Sequence, residues 1–160
     1  MKKFFIILSY FICVSLQAQD LPTKPENGYS FPIGTKFTLR LHPVDSVNFD
    51  ISVVELEAFT EIIDSYDNGY LFSDKGEDNT ITFYFCFATS VKTEEEKEKN
   101  MKIHLIFKNY AKVPLKYMSD IQKIENGNFE STSNVGVFPD AKGTEIWSEM
   151  IYTIGLYDMI

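Results

Sequence analysis

Residues 80–108 read TITFYFCFATSVKTEEEKEKNMKIHLIFK, and the interpretation of the whole chain starts from them. The first half places Ile81, Phe83, Phe85, Phe87 and Val91 at even spacing, with Thr82, Tyr84, Cys86 and Ala88 between them. The second half places Ile103, Leu105 and Phe107 on one side and Lys102, His104, Ile106 and Lys108 on the other. Successive side chains of a strand point to opposite faces, so each half predicts a strand with one strongly apolar face. Together they predict an antiparallel hairpin against which other strands pack. In its charged tip, residues 94–99, Glu95 and Lys99 stand at i,i+4 spacing. Such a tip suits one helical turn, or a solvated loop that keeps the hairpin from pairing at its edge.

On the N-terminal side, residues 36–41 alternate Phe37, Leu39 and Leu41 with Lys36, Thr38 and Arg40 before Pro43, and residues 49–57 carry the β-branched Ile51, Val53 and Val54. Both predict strands. Phe59, Ile62, Ile63 and Tyr66 favour a short helical turn over 58–66, with a bent strand as the alternative. Turns are predicted at Asp67-Asn68-Gly69 and over 73–79, around a short strand at 70–72. Beyond the hairpin, strands are predicted at 114–124, 135–138 and 146–158, with a loop at 131–134 and Gly155 marking a bulge or a close backbone approach. About seven or eight strands with at most one short helix predict an all-β fold, an antiparallel β-sandwich, with a β-barrel as the alternative.

The passage Leu105-Ile106-Phe107-Lys108-Asn109, followed by Pro114-Leu115-Lys116-Tyr117, resembles a strand–turn–strand unit of bacterial exported immunoglobulin-like β-sandwich domains of uncharacterised function. In that unit an apolar strand ends at Asn and a Pro-Leu pair opens the next. The resemblance implies an immunoglobulin-like sandwich and carries no catalytic or ligand residue with it. The Cys…Trp…Cys spacing of antibody-type domains is absent.

Residues 1–18 have the form of a secretory signal: Lys2 and Lys3, an apolar centre over 4–16, and Leu16-Gln17-Ala18 as the cleavage site. The apolar run falls short of the ~20 residues a spanning helix needs, so no membrane span is expected after signal cleavage. Ile12 stands before Cys13, where lipid attachment would need a small residue. Residues 19–30, with Pro22, Pro25 and Gly28, predict an extended lead, and 31–160 a single domain. A periplasmic or secreted protein is the expectation.

Without Lys2 and Lys3, 13 of the 15 basic residues remain against 23 acidic ones, a formal charge of −10. That balance argues against nucleic-acid binding, which rests on neutralising phosphates. Cys86 is then the sole cysteine, so no intrachain disulfide forms and an aromatic-rich core must supply the stability.

Catalytic and metal signatures are sparse. His42 and His104 share no metal-ligand spacing and are expected to be isolated surface histidines. A blue-copper site needs two His, a Cys and usually a Met clustered together, and Cys86 and His104 stand 18 positions apart on different arms of the hairpin. A lone cysteine in an aromatic strand is expected to be a small core residue. Neither a G-x-S-x-G elbow nor a glycine-rich phosphate loop occurs, and no cofactor is implied. Glu55 and Glu57 share a strand face and could form an acid/base pair across a sugar, against a solvated strand end. Asp64, Asp67, Asn68, Asp74, Glu77 and Asp78 crowd two turns without calcium-loop spacing. Trp147, the only tryptophan, suits core packing better than a sugar platform.

One asymmetry remains. Residues 97–123 hold seven lysines against Glu98 and Asp120. Within them Lys102, His104, Lys108, Tyr110, Lys112, Lys116 and Tyr117 form a candidate binding patch for an anionic glycan or an unknown protein, unless the lysines only decorate a solvent face. The sequence therefore favours an exported non-enzymatic binding module, with an accessory envelope role among its possible forms. The rivals are a glycan-acting hydrolase using carboxylates and a structural envelope protein.

Overall fold

A computed structural model describes residues 21–160; the secretory-signal reading at 1–18, Cys13 included, lies outside the described residues. Among the described residues the strands are β1 (Gly28–Pro32), β2 (Thr35–Pro43), β3 (Phe49–Ala58), β4 (Ile63–Asp64), β5 (Thr80–Thr89), β6 (Lys102–Asn109), β7 (Met118–Gln122), β8 (Glu130–Thr132), β9 (Lys142–Trp147) and β10 (Thr153–Tyr157). They build a sandwich of two open sheets, one in the order β3-β2-β5-β6-β9 and the other β1-β10-β7-β8. All neighbours along these orders are antiparallel. The two-residue β4 runs parallel to the end of β5, where β2 has stopped.

The central hairpin is β5 and β6, in register from Ile81 opposite Asn109 to Ala88 opposite Lys102. Its tip forms one helical turn, α1 (Glu94–Lys97). The inner face carries Ile81, Phe83, Phe85, Ile103, Leu105 and Phe107, all buried in the main core. Phe31 of β1 and Ile154 and Leu156 of β10 close that core from the second sheet. Phe83 is fully buried at its centre, 5.0 Å from Phe37 and 5.4 Å from Phe107 between ring centroids. The Tyr117 ring meets Phe83 and Phe107 edge-on, an arrangement aromatic quadrupoles favour. Gly143 of β9 faces Phe107 so closely that a Cβ there would overlap the ring.

The outer face of the hairpin is buried as well. Tyr84, Cys86, Ala88 and Ile106 form a second small core with Ile63, Phe59, Leu71 and Phe72, from the chain linking β3 to β5. A strand covered on both faces needs apolar residues at nearly every position, which accounts for the near-continuous run from Ile81 to Ala88. Cys86 is such a core residue, with burial pushing its thiol up to about 12.

Several expected elements differ. Residues 58–66 are not helical: β3 continues to Ala58, and Ile63 inserts into the second core from β4. The expected strand at 70–72 is a 3-10 turn, Gly69–Leu71. The loop at 131–134 yields to β8, a polar edge strand with no apolar alternation to announce it. The expected strand at 114–124 shortens to β7 plus one bridge, Leu115 to Val137, and that bridge is all that forms of the strand at 135–138. Residues 146–158 split into the end of β9 and β10, which belong to opposite sheets. Gly155 pairs through β10 without a register shift. The extended lead ends sooner than expected, because β1 begins at Gly28.

Candidate functional site

Polar residues at alternate positions of β2 share the outer face of the larger sheet: Lys36, Thr38, Arg40 and His42. β3 adds Ser52 and Glu55, and β5 adds Thr80, Thr82 and Tyr84. The loop after β4 rises beside them through Phe72, Ser73 and Gly76, and Tyr110 completes that wall. The result is a groove of about 790 Å³, within the usual size of small-ligand sites.

The groove is held by its own contacts. The Lys36 ammonium donates to Glu55 and Glu57, each at 2.7 Å. Thr38 donates to Glu55 at 2.8 Å and shares a hydrogen bond of 2.9 Å with Thr82. Arg40 pairs with Glu77, and His42 with Ser52 at 2.8 Å. The wall is tied down by the Tyr84 hydroxyl donating to the Leu71 carbonyl at 2.8 Å and the Tyr110 hydroxyl donating to the Ser73 carbonyl at 3.0 Å. Gly76 lies flat against the Tyr110 ring, with no room for a Cβ between them. Burial by itself would raise the Glu55 carboxyl, but the Lys36 and Thr38 hydrogen bonds outweigh it and hold the group below its ordinary range. Desolvation likewise opposes the charge on Lys36, yet the two carboxylates hold it above its ordinary value.

The structure brings Lys108, Tyr110 and Lys112 near one another but does not gather the whole lysine patch. Lys102 is exposed at one end of β6 and Lys108 half-buried near the other. Lys108 donates to the Ser73 carbonyl at 2.9 Å and lies 5.1 Å over the Tyr110 ring. Lys112 is exposed and paired with Asp78 at 3.0 Å. Lys116 is exposed beside an apolar hollow bordered by Leu115, Val137 and Phe138. Tyr110 and Tyr117 are buried, Tyr117 inside the main core.

The surface reading of His104 is overturned, since it is 1% exposed and, among the described residues, neither ring nitrogen has a hydrogen-bond partner. It lies between Cys86 and Ile146 in register, on the face carrying the second core. Alternation with Lys102 and Lys108 gave it a solvent-facing look, and the covering chain removed the solvent.

Three of the acidic turn residues are engaged by the protein. The Asp64 carboxylate accepts the backbone N–H groups of Tyr66 and Asp67, Glu77 pairs with Arg40, and Asp78 with Lys112. Among the described residues no group of three or more His, Cys, Asp or Glu is placed to hold a metal ion. Trp147 is half-buried against the main core, and its indole N–H donates to Thr132 at 3.3 Å. The sequence reading missed Thr38, Thr82 and Ser52 as groove residues; the legible signal was that Lys36, Thr38, Arg40 and His42 leave one whole face of β2 polar.

Comparison with known protein families, with characterised proteins and with solved structures finds no significant match.

Proposed function

We propose that this chain is an exported, non-enzymatic binding module whose ligand surface is the groove on the larger sheet, and that the ligand is an uncharged oligosaccharide. The carrying observation is the groove itself. It is open, lined by hydroxyl groups and edged by the half-buried Phe72, a mixture that suits the polar edges and apolar faces of sugar rings. Its cations, Lys36 and Arg40, are matched by Glu55, Glu57 and Glu77, which favours a neutral glycan over an anionic one. The hydrolase alternative requires one carboxyl of the Glu55–Glu57 pair to hold a proton near neutrality. Lys36 stands between the two and favours the ionised form of Glu55. Export rests on the secretory character of residues 1–18.

Titration of the isotope-labelled protein with a panel of soluble oligosaccharides tests this reading. Saturable amide shifts are expected at Thr38, Arg40 and Thr82, and Arg40→Ala is expected to weaken binding by about tenfold, as loss of a charge-assisted contact would. A panel that leaves the groove amides unmoved, or moves only amides elsewhere, removes the groove as the ligand surface.

A further inference from the structure

The two sheets part where β8 and β9 form neighbouring edges. A cleft of about 320 Å³ opens there between residues 132–135 and 144–147, and it shares no residue with the groove. Glu145 points inward from β9, opposite Leu105, and is 7% exposed. Its Oε1 accepts the Tyr117 hydroxyl at 2.9 Å and the Val135 N–H at 3.1 Å. Its Oε2 is buried and has no hydrogen-bond partner among the described residues. A buried carboxylate oxygen without a donor is costly, and among the described residues no ammonium or guanidinium pairs with it.

The cleft supplies what such an oxygen lacks. Trp147, two residues further along the same face of β9, forms part of the wall, its indole fixed by the bond to Thr132. An aromatic face of this kind attracts a cation. Ser133 and Thr144 add hydroxyl oxygens able to accept from a donor that has more than one N–H. Because Oε1 already accepts two hydrogen bonds, Oε2 is the one carboxylate oxygen left open to a further partner. That geometry suits the compact, monodentate ammonium and not the two-pronged guanidinium.

We propose that this cleft binds the primary ammonium group of a small amine, held by Glu145 Oε2 and flanked by the Trp147 ring. Amino sugars and free peptide amino ends both carry that group. Trp147 is the sole tryptophan, so its fluorescence reports the cleft directly.

The experiment titrates the protein with glucosamine and with glycinamide, each beside its N-acetylated counterpart, which keeps the shape and loses the charge. The amines are expected to give a saturable change, and the acetylated forms one at least about tenfold weaker, the scale of a charge-assisted hydrogen bond. A response to glucosamine alone assigns an amino-sugar ligand, to glycinamide alone a peptide end, and to both the ammonium group as such. E145Q is expected to weaken amine binding about tenfold or more, since it removes the charge while leaving an acceptor for Tyr117 and Val135. S133K, at an exposed loop position, brings a tethered ammonium into the cleft and is expected to abolish the amine response even if E145Q fails to fold. Equal responses to amine and acetylated forms, amine binding unchanged in a folded E145Q or in S133K, or no saturation by on the order of 50 mM amine overturns the proposal.

Discussion

Phe83→Ala is expected to lower the unfolding free energy by about 3–5 kcal/mol, the usual cost of deleting a fully buried phenylalanine ring. Phe83 touches Phe37 across the sheet, Phe107 on the partner strand and the Tyr117 edge from the second layer. All three neighbours are themselves buried, so the surrounding core has little freedom to collapse into the space left behind. A domain of this size is stable by only about 5–15 kcal/mol, and Cys86 offers no disulfide to compensate. Urea unfolding followed by far-UV circular dichroism should show a midpoint shifted to much lower denaturant at similar slope. A loss under about 1 kcal/mol would mean that the core is not closed around this ring.

Acid is expected to loosen the fold through His104. An imidazole titrates near 6.5 in the unfolded chain, while burial, and secondarily the charge of Lys102, lowers the value for His104 in the folded one. As pH falls below 6.5 the unfolded chain takes up a proton that the folded chain resists, so stability declines down to the folded pKa. A single proton can cost at most about 1.4 kcal/mol between about pH 7.5 and pH 5.5. Glu145 acts in the opposite sense. Burial raises its carboxyl above 4.5, with the Tyr117 hydroxyl and the Val135 N–H opposing, so stability is regained as pH falls through its folded pKa toward 4.5. Urea unfolding at the two pH values, for the wild type and His104→Leu, separates these contributions. The variant should lose less stability on acidification by about that amount, and equal losses in both proteins would place the acid sensitivity elsewhere.

The legibility of the chain follows from where its information is local. The alternation of Ile81, Phe83, Phe85 and Phe87 is a property of adjacent residues, so β5, β6 and the sandwich could be read directly. The pairing of Ile63 and Asp64 with Ala88 and Thr89 is created by packing across some 25 positions of chain, and nothing within 58–66 encodes it. β8 reads as loop because an edge strand with Glu130 and Ser131 exposed buries neither face. The same division holds for the sites. The polar face of β2 was present in the spacing of Lys36 to His42, whereas the groove's wall depends on how Ser73 and Gly76 meet Tyr110. Glu145 is one acidic residue among 23 until Tyr117 and Val135 reach it from other parts of the chain.

β1 and β10 lie side by side in register, with Gly28 opposite Tyr157 and the Asn27 amide bonded to Asp158. The chain reaches β1 along the edge of β3, where the Val53 N–H donates to the Pro22 carbonyl and Glu26 bridges to Ile51. It leaves β10 along the same edge, where Met159 bridges to Phe49, so a linker could join Ile160 to Leu21 there without crossing the core. The exposed tip around α1, remote in sequence from both, is a natural place for new termini. A circularly permuted chain opened there would keep every layer of the sandwich. Its two ends would instead issue from the tip of the central hairpin, leaving the groove and the edge cleft intact on a molecule tethered from a different side.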